Sequence, residues 1–145
     1  MLAPCIILLL VLQAQANPNY FQQRFAQTDR NRDNKISLKE YMDSLQFYDR
    51  NNDGRTTLSE WVSQMTRKAN IPIDVSSLIF YVLDSDGNYL LNYVDKREVF
   101  KVMDFNDDGF VSREEFNTYW EQMKISVYRQ LHRTRRSPDQ DEVQN

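Results

Sequence analysis

Four stretches of this chain carry oxygen-bearing side chains at one repeated spacing. Asp29, Asn31, Asp33, Ser37 and Glu40 fall at positions 1, 3, 5, 9 and 12 of a twelve-residue segment. Asp49, Asn51, Asp53, Thr57 and Glu60 repeat the spacing, as do Asp104, Asn106, Asp108, Ser112 and Glu115. Asp84, Asp86, Asn88, Asn92 and Asp95 give a looser version that ends in Asp rather than Glu. No cysteine or histidine lies in any of the four. Donor sets made only of oxygen suit hard cations such as Ca2+, which takes about 6–8 oxygens. One acidic stretch of this kind is ordinary solvated surface. Four of them are not, and all three glycines of the chain (Gly54, Gly87 and Gly109) fall inside them.

The segments 29–40, 49–60, 84–95 and 104–115 resemble EF-hand calcium loops, and the resemblance covers residues 17–131. It implies an all-α domain of helix-loop-helix units with short β pairing between loops. It also implies the ligands: side chains at positions 1, 3, 5 and 12, and a backbone carbonyl at position 7. In the first loop these are Asp29, Asn31, Asp33, Lys35 (backbone) and Glu40, and in the second Asp49, Asn51, Asp53, Arg55 (backbone) and Glu60. In the third they are Asp84, Asp86, Asn88, Leu90 (backbone) and Asp95, and in the fourth Asp104, Asn106, Asp108, Phe110 (backbone) and Glu115. Position 8, usually apolar in the family, is Ile36, Thr56, Leu91 and Val111, and its backbone pairs with the same position of a partner loop.

The loops are not equivalent. Position 6 needs a sharp bend, which Gly54 and Gly109 supply in loops 2 and 4. Loop 1 has Asn34 there, which tolerates a left-handed backbone better than most residues, so binding with some loss is expected. Loop 3 has Tyr89 at the bend, and its Asp95 is too short to reach an ion easily with both oxygens. Site 3 is therefore expected to be weak, Mg2+-tolerant or empty, or else a structural remnant that pairs with its neighbour.

Loops positioned this way require helices between them. Apolar stripes at helical spacing supply these: Tyr20, Phe21 and Phe25; Tyr41, Leu45 and Tyr48; Trp61, Val62 and Met65; Leu78, Ile79, Val82 and Leu83; Val99, Phe100 and Met103; and Phe116, Tyr119, Trp120, Met123 and Val127. Asn70-Ile71-Pro72 breaks the central run. The loops begin at residues 29, 49, 84 and 104. The long middle interval fits loop, helix, linker, helix, loop, so loops 2 and 3 should pair. The short outer intervals leave room for one helix each, over 38–48 and 93–103. Eleven helical residues span about 16 Å, which puts loops 1 and 2 at opposite ends of one rod and loops 3 and 4 at opposite ends of another. Loop 1 then meets loop 4, in a nested arrangement of about six helices.

Outside the repeats, residues 1–16 hold an apolar run from Ile6 to Leu12 followed by Ala14-Gln15-Ala16, the pattern of a secretory signal peptide cut after Ala16. The run is too short for a membrane span, which takes about 20 residues. The n-region lacks Lys and Arg. Cys5 lies in this segment, so the mature chain has no cysteine. At the other end, 132–145 reads as a basic then disordered tail. Arg129, Arg133, Arg135 and Arg136 cluster, and Arg133-Thr134-Arg135-Arg136 resembles a furin-like convertase site. The same cluster also reads as a solvated helix end, or as a dock for an anionic surface such as an acidic polysaccharide. Glu142-Val143-Gln144-Asn145 is not an ER-retention signal.

Charge and composition narrow the function. Lys and Arg number 18 against 21 Asp and Glu, a net charge of −3, which does not support a nucleic-acid binder reliant on bulk charge. With no mature cysteine and only His132, an enzyme is not expected. Four bound Ca2+ would bring the formal charge to +5. Extracellular sites are tuned to dissociation constants of about 10⁻⁴–10⁻³ M, so an exported binder is always loaded and cannot signal. The expected function is thus a secreted, constitutive calcium binder with a structural, storage or matrix role. The chain resembles the secreted EF-hand proteins of invertebrate matrices, mollusc shell among them. The alternatives are a calcium-dependent module that binds a protein helix, for which four mature methionines are few, and a lumenal binder of the secretory pathway.

Overall fold

A computed structural model describes residues 20–135. Residues 1–19, which include the expected signal peptide, and those beyond 135, including the bond after Arg136, lie outside the described residues. Six helices occur among the described residues, as the stripes require. They are α1 (Tyr20–Thr28), α2 (Leu38–Leu45), α3 (Leu58–Ala69), α4 (Ile73–Leu83), α5 (Tyr93–Met103) and α6 (Arg113–Arg135). Four short strands alternate with them: β1 (Lys35–Ser37), β2 (Thr56–Thr57), β3 (Leu90–Leu91) and β4 (Phe110–Ser112).

Local chemistry sets the helix ends. α2, α3 and α5 each begin at a capping box, formed by Ser37 with Glu40, Thr57 with Glu60 and Asn92 with Asp95. At α6, Ser112 N donates to Glu115 and Glu115 N donates back to the Ser112 hydroxyl. Each pair satisfies amide groups that a helix N-terminus leaves unbonded. The break at Asn70 also has a mechanism. Asn70 takes a left-handed backbone (φ 54°), and the N–H groups of Asn70 and Ile71 both reach the Met65 carbonyl. Pro72 then precedes α4. Two helices differ from the sequence expectation. α2 ends at Leu45 rather than Tyr48, because the chain tightens: Tyr48 N bonds to Leu45 O and Asp49 N to Gln46 O, three residues back. α6 continues past Leu131 through the start of the basic cluster.

The nested arrangement is present. β1 pairs antiparallel with β4, with Ile36 opposite Val111, and β2 pairs with β3, with Thr56 opposite Leu91. α2 is both the exit helix of loop 1 and the entry to loop 2, and α5 does the same for loops 3 and 4. α2 packs on α5, α3 on α4, and α1 on α6. Between them lies one aromatic core. Phe25 meets Phe116 at 5.5 Å, Tyr41 meets Phe100 at 5.7 Å, and Tyr48 meets Trp61 at 4.6 Å between ring centres. Two polar ties cross it: the Tyr20 and Tyr48 hydroxyls bond at 2.7 Å, and Trp61 Nε1 donates to Ser76 O at 2.9 Å. Of the stripe residues, Val82 is the main exception at 41% exposed, because the buried face of α4 runs through Ser76, Ile79, Phe80 and Leu83.

Ile36 and Val111 are wholly buried where two loops meet. Ile36→Ala is expected to destabilise the protein by about 3 kcal/mol, read as a lower urea midpoint at unchanged slope.

Candidate metal centres

Each loop is wound around the carboxylate of its first residue. Asp29, Asp49, Asp84 and Asp104 each accept the backbone N–H groups of residues 5 and 6 of their loop, at 2.8–3.2 Å. The third residue caps the fifth: Asn31 accepts from Asp33 N, Asn51 from Asp53 N, Asp86 from Asn88 N and Asn106 from Asp108 N. The fifth residue in turn accepts the seventh N–H. Lys35, Arg55, Leu90 and Phe110 donate to Asp33, Asp53, Asn88 and Asp108 at 2.8–2.9 Å. The side chains of Lys35, Arg55 and Phe110 are exposed and that of Leu90 half-buried, so position 7 offers the site its backbone.

The twelfth residue closes the loop. One carboxylate oxygen of Glu40, Glu60 and Glu115 accepts the second and third backbone N–H groups of its own loop at 3.0–3.4 Å. The other accepts the ninth N–H at 2.8–2.9 Å. Asp95 does the same in loop 3 with a shorter side chain, taking Ser85 N and Oγ on one oxygen and Asn92 N on the other. These bonds shift the acids. The Glu60 carboxyl is held below its ordinary value first by the backbone and hydroxyl of Thr57, then by Asn51 and Arg50. At Glu40 and Glu115 burial pushes upward, and the bonds from Ser37, Asn31 and Arg30, or from Ser112, Asn106 and Phe105, together outweigh it.

Backbone conformation adds a constraint beyond the one bend per loop inferred from sequence. Positions 4 and 6 are both left-handed in every loop. Position 4 is Arg32 (φ 61°), Asn52 (57°), Gly87 (70°) and Asp107 (57°), and position 6 is Asn34 (63°), Gly54 (84°), Tyr89 (63°) and Gly109 (83°). Loop 3 thus has its glycine two residues early and puts Tyr89 where the backbone is costly. A Cβ at Gly54, Gly87 or Gly109 would meet nothing within 4 Å, so glycine serves the dihedral there rather than the space. The Asn, Gly and Asp at position 4 of loops 2, 3 and 4 were the available signal in the sequence.

Loop 3 differs in its acids as well. Asp86 carries the charge at position 3 and Asn88 the amide at position 5, the reverse of the other loops, and Asn88 Nδ2 donates to Asp86 at 2.8 Å. Among the described residues, Asp84, Asp86 and Asp95 are the one carboxylate trio with ligand oxygens all within 4.8 Å of one another. Asp95 is 1% exposed. In all four loops the donors are oxygens, gathered from one short segment and closed by an acid on the first turn of the next helix. That chemistry fits Ca2+.

A protein-family model described as "EF hand" matches residues 21–45 and 97–118. The matches cover loops 1 and 4, the two that pair through β1 and β4, with helix on either side. No curated protein and no solved structure matches the chain. Fold, loops and family match agree on an all-α fold of the EF-hand type, whose loops bind Ca2+. No helix among the described residues is long and apolar enough to cross a membrane.

Two outcomes follow from this geometry. Gly109→Ala is expected to cost about 1–2 kcal/mol in urea unfolding through its backbone alone, whereas Tyr89→Gly should not destabilise. The depressed acids give the metal-free protein a pH dependence of defined sign. Their contribution is complete above the ordinary glutamate value of 4.5 and is lost as pH falls through the lower native values. Thermal midpoints of metal-stripped protein should fall on acidification below about pH 4.5, and fall less in Glu60→Gln.

Proposed function

We propose that this chain is a secreted, non-enzymatic protein that holds calcium constitutively, in a structural or matrix-associated role. The side chains of Asp29, Asn31, Asp33, Glu40, Asp49, Asn51, Asp53, Glu60, Asp84, Asp86, Asn88, Asp95, Asp104, Asn106, Asp108 and Glu115 are its ligands. They act with the carbonyls of Lys35, Arg55, Leu90 and Phe110. The observation that carries the reading is the sharing of helices. α2 and α5 each end one loop and begin the next, so neither loop pair can open its helices without disturbing the other. A sensor that exposes a groove needs that freedom.

Burial supports the same reading. Met65, Met103 and Met123, three of the four methionines outside residues 1–16, are core residues rather than an adaptable surface. The apolar segment before Ala16 supports export, and calcium outside cells suits sites of modest affinity.

Equilibrium dialysis of the exported chain at millimolar free Ca2+ tests this reading, together with dye binding to exposed apolar surface. Three to four ions per chain are expected, with helix content rising and ANS fluorescence falling on loading. Absence of bound metal would overturn the calcium role. A rise in ANS fluorescence would favour a groove-exposing module instead.

A further inference from the structure

The residue directly after position 12 is a core aromatic in three of the repeats. Tyr41 follows Glu40, Trp61 follows Glu60 and Phe116 follows Glu115, and all three are buried. In loop 3 that place belongs to Lys96. The chain therefore puts a cation at a core-facing position of α5, one residue beyond the fully buried Asp95.

Lys96 is half-buried and has two environments. On one side it lines a small pocket of about 20 Å3 with Trp61, Thr56, Leu91 and Asp95. On the other it lines a surface cleft with Asp49, Asn52 and Gly54, all residues of loop 2. No carboxylate lies within 4 Å of its ammonium among the described residues. Burial pushes its pKa down, while Asp49, Asp95 and Asp53 pull it back up. An ammonium that shares a cleft with Asp49 repels a divalent cation placed in the same loop.

We propose that Lys96 is an affinity-setting residue, through which α5 of loop 3 weakens calcium binding at loop 2 across the β2–β3 pair. The inference rests on the calcium reading above. Its direction is specific: loop 2, with an ordinary ligand set and Gly54 at its bend, binds less tightly than those features alone dictate. Tuning of this kind suits a protein that works in abundant calcium.

The glycines give a site-resolved readout, because Gly54, Gly87 and Gly109 lie in three different loops. The full chain labelled with 15N-glycine is titrated with Ca2+ and each amide followed by NMR. Lys96→Met, which keeps length and removes charge, should move the Gly54 midpoint to roughly fivefold lower Ca2+ and leave Gly109 where it is. Lys96→Gln should act in the same direction, and Lys96→Arg should behave like the parent protein. An unchanged Gly54 midpoint in both neutral variants overturns the proposal. So does an equal shift at Gly54 and Gly109, which would mean a general charge effect. Glycine amides of the parent chain that ignore Ca2+ would instead overturn the calcium reading itself, and this proposal with it.

Discussion

The fold depends on one carboxylate per loop doing two jobs. The twelfth residue accepts backbone N–H groups from the start of its loop, and on its other oxygen the N–H of the residue that caps the next helix. Loop closure and helix initiation are thus one event. The same group is the natural last ligand for a cation inside the loop. An acid at this place does not wait for metal to become useful to the structure. It is already satisfied by donors from both sides.

That arrangement is repeated at intervals too short for independent units. A single helix between loops 1 and 2, and another between loops 3 and 4, means that no helix-loop-helix unit is complete without its neighbour. The chain resolves this by pairing inner with inner and outer with outer. Ile36 and Val111 then bury each other at one end, Thr56 and Leu91 face each other at the other, and α2 packs along α5 between them. The aromatic residues after Glu40, Glu60 and Glu115 turn into the shared core, so metal sites and core are separated by one residue. The departure at Lys96 stands out for this reason: it puts a charge where the other repeats bury an aromatic, at a cleft shared with loop 2.

Much of this could be read from the order of residues. Oxygen donors at fixed spacing name the class of ion, because ligand hardness is a property of side-chain type. The repeat intervals dictate one shared helix at each side, because helix rise per residue is constant and the chain cannot cross farther in so few residues. Pairing of β1 with β4 follows from those lengths. Capping residues at position 9 and apolar stripes mark helix starts and buried faces, since both are local to a turn or two.

Other features depended on contacts between distant segments. α2 stops three residues early because its end tightens as Tyr48 packs against Tyr20 and Trp61, and the stripe alone continues to Tyr48. The second left-handed position in each loop arises from the way consecutive N–H groups must all point at one aspartate, a demand that Arg32 meets without advertising it. The convergence of Asp84, Asp86 and Asp95, and the cleft that Lys96 shares with Asp49, belong to the same group. Composition and spacing settle what a segment can bind, since that is short-range chemistry. Which charges face one another across a pair of loops is set only when the strands align and bring together residues far apart in the chain.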